Sequence, residues 1–201
     1  MSQQKIRCPW VDLSKPDYVD YHDKEWGVPI HDDQKLFESL TLESAQAGLN
    51  WYTILRKREN YRKAFSEFNP ERVARFTELH VAQLMQNPGI VRNRLKIEAT
   101  VNNAKQFLQV QRAFGSFANF LWDFVGGQPR VNRWQRSEDC PTTTDESNRL
   151  SSELKRRGFK FVGPTICYAH MQAVGLVNDH SSHCFRYQEI IRQSANSPHE
   201  I

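Results

Sequence analysis

In the stretch Asp33–Trp51 (DQKLFESLTLESAQAGLNW) a glutamate holds a place that helical periodicity reserves for an apolar side chain. Leu36, Leu40, Glu43 and Ala47 follow one another at steps of four, three and four. At about 3.6 residues per turn these four share one face. Three of them belong in the interior, so Glu43 points there too. An unpaired carboxylate in an apolar wall costs several kcal/mol. Glu43 is therefore either a salt-bridged core residue or a residue with a chemical use. Around it in sequence stand Tyr18, Tyr21 and Trp26 on one side and Trp51 and Tyr52 on the other. Aromatic faces attract cations and stack on unpaired bases. Such a cluster is ordinary core by itself; beside a buried carboxylate it suits a flat, cationic, nitrogen-rich ring.

A second constellation is Cys8, His22, His180 and Cys184. His180 and Cys184 are four residues apart and face together on a helix or tight turn, while Cys8 and His22 come from the opposite end of the chain. Two thiolates and two imidazoles complete a tetrahedral zinc shell with no open position, which makes such a site structural. Spacing leaves alternatives open. Cys140 or Cys167 can replace a thiolate, His183 can replace His180, and the four can equally be scattered buried groups.

These residues need elements to hold them, and the pattern is helical nearly throughout. Ser14 and Pro16 open a helix carrying Tyr18, Tyr21, His22 and Glu25 on one face. Asp32 or Asp33 caps the Glu43 helix, and Gly48 ends it. A third helix is expected from near Trp51 through Phe65, and a short one from Pro70. Thr77 caps a short helix ending near Met85. Asn87-Pro88-Gly89 is a turn signal, and a long helix follows with Ile90, Ile97, Val101, Ala104 and Leu108 on one face. Further helices are expected at 116–125, 146–157 and 165–174. Residues 126–145 are rich in Gly, Pro, Ser and Thr and read as a loop, and the last residues (SANSPHEI) read as a frayed tail over about 194–201.

The helical pair over about 78–108 is unusual in its charge. Arg92, Arg94 and Lys96 lie at the start of the second helix, where the dipole disfavours cations. With exposed amides at Gly89, Ile90 and Val91, they suit a DNA phosphate. The bland alternative is a helical hairpin with a basic surface. Basic clusters also occur at Arg56–Lys63 and Lys155–Lys160, whereas residues 1–33 hold seven acidic side chains against four basic ones.

At 201 residues the chain has ample length for one core, and no composition shift divides it, so one compact domain over 1–201 is expected. Its net charge of +4 is only a mild bias toward nucleic acid. No apolar run is long enough to span a bilayer, and MSQQKIRCPW lacks a signal-peptide core, which points to the cytoplasm and to no membrane partner. Cytosolic cysteines are then thiols or metal ligands rather than disulfides. Nothing demands more than a monomer, and no nucleotide-cofactor motif stands out.

The whole chain from Cys8 to about Cys184 closely resembles the bacterial DNA-3-methyladenine glycosylase I family. The resemblance rests on Tyr21–Pro29 (YHDKEWGVP), Leu42–Trp51 (LESAQAGLNW), Leu55–Tyr61 (LRKRENY), Gly89–Ile97 (GIVRNRLKI) and Lys155–His180 (KRRGFKFVGPTICYAHMQAVGLVNDH). It implies an all-α helix-hairpin-helix fold whose N- and C-terminal segments are joined by one structural zinc. It further implies excision of 3-methyladenine from alkylated double-stranded DNA, by hydrolysis and without lyase activity. Cys8, His22, His180 and Cys184 match the family's zinc ligands, and Glu43 its base-contacting glutamate. Tyr21 and Trp51 match pocket aromatics, with Trp26 and Tyr18 nearby. Leu84–Lys96 matches its DNA-binding hairpin, through Gly89, Ile90, Arg92, Arg94 and Lys96. The superfamily's second hairpin glycine is Val91 here, as in the family itself. Most helix-hairpin-helix glycosylases place a catalytic aspartate shortly after the hairpin, but this chain has none between Asp33 and Asp123. Glu43 is then the leading acid of the pocket. The rival from another class is a zinc-stapled module that binds alkylated DNA without cutting the glycosidic bond.

Overall fold

The computed structural model describes residues 5–196, apart from the side chains of Ser137 and of 194–196. Among the described residues the chain folds into helices α1 (Pro16–Lys24), α2 (Asp33–Gln46), α3 (Trp51–Leu55), α4 (Arg58–Ala64), α5 (Pro70–Val73), α6 (Glu78–Met85), α7 (Arg94–Phe114), α8 (Phe117–Asp123), α9 (Asp145–Arg156), α10 (Pro164–Ala173) and α11 (Phe185–Asn196). The only strands among them are β1 (Arg130–Val131) and β2 (Val177–Asn178), paired parallel with Arg130 opposite Val177. None of these helices is long and apolar enough to cross a membrane.

The two aspartates before α2 divide their labour. Asp32 caps α2, accepting the Lys35 N–H at 2.8 Å. Asp33 instead accepts the Phe117 and Ala118 N–H groups, each at 2.8 Å, and so caps α8 from across the core. α1 starts at Pro16, but Ser14 is not its cap; its hydroxyl turns back to Asp12 Oδ1 at 2.6 Å. The single helix expected from Trp51 to Phe65 is broken at Arg56–Lys57 without a glycine or proline. Two contacts to the hairpin set that break. Lys57 Nζ donates to the Pro88 carbonyl at 3.0 Å, and the Tyr61 hydroxyl accepts the Val91 N–H at 3.1 Å. Tertiary contact here overrides helix propensity.

The hairpin is α6, the turn over 86–93, and α7. Asn93 caps α7 by accepting the Lys96 N–H at 3.2 Å, so the helix begins four residues later than the turn signal suggests. α2 lies at the centre, against α7, α8 and α10, while α9 covers α10. Leu36, Phe37 and Leu40 of α2 meet Phe107 of α7, Phe117 and Leu121 of α8, and Tyr168 and Met171 of α10 in one buried cluster. β1 fastens the 126–145 segment to the C-terminal segment. Residues 194–196 continue α11, and the rest of the expected tail, 197–201, lies outside the described residues.

The two ends of the chain meet because Gly175 permits it. It has φ +75, and a Cβ there would sit 2.5 Å from the Pro29 nitrogen. Only glycine allows so close a backbone crossing. The crossing is fastened by the Ile30 N–H on the Val174 carbonyl at 3.1 Å. A second, smaller apolar cluster, built on Cys8, Val11 and Cys184, forms where the ends come together.

Candidate active site and metal centre

α2 carries Glu43 to the wall of a cavity of about 340 Å³, shared with Trp10, Tyr18, Tyr21, Gln46 and Trp51. That volume falls within the range of about 300–1,000 Å³ usual for small-ligand sites. Glu43 is only 4% exposed, and no ion pair or hydrogen bond engages its carboxylate among the described residues. Burial alone pushes its carboxyl up to about 8. The salt-bridged alternative therefore has no partner here. Tyr21 is also buried, and desolvation, reinforced by Glu43, pushes its phenol well above the usual range, so it is a neutral donor.

Trp51 heads α3, because Asn50 caps that helix by accepting the Tyr52 N–H at 2.8 Å. Its ring meets Tyr21 with centroids 5.4 Å apart and planes tilted by 45°. A ring held between two faces needs about 7 Å, twice the carbon contact distance of about 3.5 Å. The pair therefore forms two adjoining walls rather than an open slot. Trp10 completes the frame, 5.2 Å from Tyr18 and 5.0 Å from Trp26. Trp26 lines the cavity from the other side and packs edge-on against His180 at 4.7 Å.

Behind Trp10 and Trp26 lie Cys8, His22, His180 and Cys184, all buried, with one potential ligand atom from each within 4.8 Å of the others. Cys8 Sγ is 3.4 Å from His180 Nδ1, and Cys184 Sγ is 3.5 Å from His22 Nε2 and 3.6 Å from His180 Nδ1. A tetrahedral shell with bonds of about 2.3 Å to sulfur and about 2.0 Å to nitrogen spaces its ligand atoms about 3.3–3.8 Å apart. Each imidazole is oriented through its other nitrogen. His22 Nδ1 lies 2.7 Å from Asp23 Oδ1, and His180 Nε2 lies 3.0 Å from the Trp26 carbonyl oxygen. Arg7 in turn clamps Asp23. Such outer partners fix the tautomer of a metal-binding histidine. The proximity of the two thiols pushes Cys8 up and pulls Cys184 down. The cluster is competent to bind a metal ion. Cys140 and Cys167 stand apart from it, and its imidazoles are those of His22 and His180.

In the hairpin, the amides expected to be exposed are already occupied. Gly89 N–H donates to Asn87 Oδ1 at 2.8 Å, Ile90 N–H to the Asn87 carbonyl at 3.5 Å, and Val91 N–H to the Tyr61 hydroxyl. Ile90 itself is a core residue. Arg92 is exposed in the turn, and Arg94 pairs with Glu78 and Glu98. Lys96 faces inward instead. Its Nζ donates to the Ala45 and Ala47 carbonyls at 2.8 and 2.7 Å.

A family model described as methyladenine glycosylase matches residues 10–187. The chain belongs to the methyladenine glycosylase family. It is 50% identical over 178 residues to the DNA-3-methyladenine glycosylase of Haemophilus influenzae, which covers 89% of this chain and 96% of that protein. A crystal structure of 3-methyladenine DNA glycosylase I superposes with a TM-score of 0.87 at 52% identity, covering 90% of this chain and 98% of that one. The Staphylococcus aureus 3-methyladenine DNA glycosylase I, solved to show how it recognises 3-methyladenine, matches with a TM-score of 0.84 at 43% identity, over 86% of this chain and 92% of that one.

In this methyladenine glycosylase chain, Tyr18, Tyr21, Trp26, Glu43 and Trp51 all reach one cavity, and the four Cys and His residues form one cluster that adjoins it through Cys8. Gly89, Ile90, Arg92, Arg94 and Lys96 are not among the residues lining that cavity. Sequence reasoning missed Trp10, two residues after Cys8, because a lone tryptophan carries no spacing signal. It also missed the 132–140 segment, which supplies Trp134, Arg136 and Cys140 to the cavity rim. Asp179 holds that segment, accepting Asn132 Nδ2 at 2.7 Å and Trp134 Nε1 at 2.8 Å while also taking Tyr168 and Gln172. An acid next to a histidine in Asn178-Asp179-His180 was the available clue.

Proposed function

We propose that this chain flips 3-methyladenine out of alkylated duplex DNA and hydrolyses its glycosidic bond, without lyase chemistry. The observation that carries this reading is a buried carboxylate with no protein partner, facing a cavity framed by aromatic rings. Methylation at N3 makes adenine cationic, and its glycosidic bond is weak for that reason. The extruded ring lies against Trp51 with Tyr21 as the adjoining wall. Glu43 accepts a hydrogen bond from the exocyclic amine and complements the ring's charge. Charge-assisted bonds of this kind are worth about 1.5–3 kcal/mol. A water oxygen then bonds to C1′, the electron pair of the broken C1′–N bond neutralises the ring, and the water proton passes to solvent. Unmodified adenine brings no cation to Glu43 and is a poor leaving group. Extrusion costs a few kcal/mol, least for a damaged base.

Zinc fits the cluster of Cys8, His22, His180 and Cys184, whose two sulfurs, two nitrogens and oriented imidazoles leave no open position. Bound there, it would fasten the two ends of the chain and take no part in hydrolysis. Arg92 and Arg94 are the hairpin's phosphate contacts in this reading, with the Gly89–Ile90 turn setting their approach.

Glu43→Gln keeps the shape and removes the charge. On methylated duplex DNA it should lower single-turnover release of 3-methyladenine about ten- to a hundredfold while DNA affinity stays near the parent value. Excision at the parent rate would remove Glu43 from the mechanism. If the parent protein binds alkylated DNA and frees no base, the non-catalytic module is the correct reading.

A further inference from the structure

We propose that Lys96 is a positioning residue for base excision, which ties the loop between Glu43 and Trp51 to the helix of the DNA-binding hairpin. The observation is a specific pair of hydrogen bonds. Lys96, in the first turn of α7, donates from Nζ to the Ala45 carbonyl at 2.8 Å and to the Ala47 carbonyl at 2.7 Å. Both acceptors lie at the C-terminal end of α2, where the helix stops at Gln46 and Ala47 leaves it with ψ 116. Carbonyls at that end lack intrahelical donors, and the helix dipole gathers partial negative charge there. α2 has no basic residue of its own in its last turn, so a lysine from another helix supplies the cation.

The place matters for the chemistry. Ala45 and Ala47 follow Glu43 by two and four residues, and the loop they begin ends at Asn50, the cap of the helix headed by Trp51. Gln46, between the two acceptors, lines the cavity. One ammonium therefore fixes the stretch of chain that carries the acid and the stacking ring. It does so from the segment that also carries Arg92 and Arg94. Seating of the hairpin on phosphates then acts directly on the cavity wall, through a bond that does not itself touch DNA. A second bracket near the end of α2 accompanies this arrangement, since the Ser44 hydroxyl donates to the Phe161 carbonyl at 3.1 Å. The inference deepens the assignment of Glu43 and Trp51 to the base pocket and rests on it.

Two variants separate this role from a phosphate contact. Lys96→Met keeps the aliphatic stem and removes the donors; Lys96→Arg keeps a cation and donors. Three quantities are measured for each: single-turnover release of 3-methyladenine at saturating enzyme, affinity for free 3-methyladenine, and affinity for an uncleavable duplex over a range of salt. Lys96→Met should lower release at least tenfold and weaken binding of the free base. The salt slope of its duplex affinity should match the parent's, and Lys96→Arg should recover most of the release. A slope reduced by about one, with release at saturation unchanged, would instead make Lys96 a phosphate ligand. Loss of release only in proportion to a lowered folded fraction, with no rescue by arginine, would make it merely structural; either result overturns the proposal. Glu43→Gln runs in parallel. If it fails to lower release, the pocket assignment falls and takes this one with it. If it lowers release while Lys96→Met does not, only the positioning role is lost.

Discussion

Glu43 is the residue on which both the chemistry and a cost in stability converge. Its carboxyl sits at about 8 in the folded protein against an ordinary value of 4.5, raised by burial. A group raised on folding contributes no penalty below its unfolded value and loses stability as pH climbs toward its folded one. The parent protein should therefore lose ground to Glu43→Gln as pH rises from about 4.5 to about 8. Thermal melting of both proteins across that window tests this; a constant difference in melting temperature would show that Glu43 is solvated like a surface acid. The same burial would give selectivity. In the proposed mechanism a cationic base favours the charged form of Glu43, whereas a neutral base does not. Three steps of helical period in the sequence were enough to place Glu43 inside. That its carboxylate has no partner could not be read there, because a salt bridge is made by residues distant in sequence.

At the scale of elements, the hairpin departs from the expected mode of DNA contact. The amides of Gly89, Ile90 and Val91 are satisfied within the protein, two by Asn87 and one by Tyr61. Affinity must then come from side-chain charge. Arg92→Gln should reduce the salt slope of duplex binding by about one and leave the release rate at saturation near the parent value. An unchanged slope would place the phosphate contacts on another face. The turn itself was legible, since Asn87-Pro88-Gly89 cannot continue a helix. Its fine structure was not. The start of α7 is set locally by Asn93, whereas the break before α4 goes with Lys57 and Tyr61, whose side chains reach the backbone of another segment. Lys96 shows the same limit. Its charge was visible, but whether it faced phosphate or the end of α2 depended on the distance between two helices.

Over the whole molecule, the N- and C-terminal segments are held at Gly175 and at the cluster of Cys8, His22, His180 and Cys184, while the short ladder of β1 and β2 ties the middle of the chain to the C-terminal segment. If zinc fills that cluster, stripping it with a chelator should lower the melting temperature and loosen both ends, since metal binding is then part of the folding free energy. Cys184→Ala should do likewise and release the metal, while the folded remainder still excises base. Elemental analysis showing no bound metal in parent protein purified without chelator would remove the assignment. The sequence by itself determined the helical class, and it pointed to Glu43 with its aromatic neighbours and to the Cys8, His22, His180 and Cys184 group that the fold brings together. Local periodicity and residue type suffice for the first, and long motifs matching a known family carry the others. Only the tertiary structure decided that Trp10 and the 132–140 segment join the pocket, that Tyr21 and Trp51 abut rather than leave a slot, and that Lys96 turns inward. Each of these is a distance between groups far apart along the chain, and such distances are fixed by packing, which no local pattern encodes.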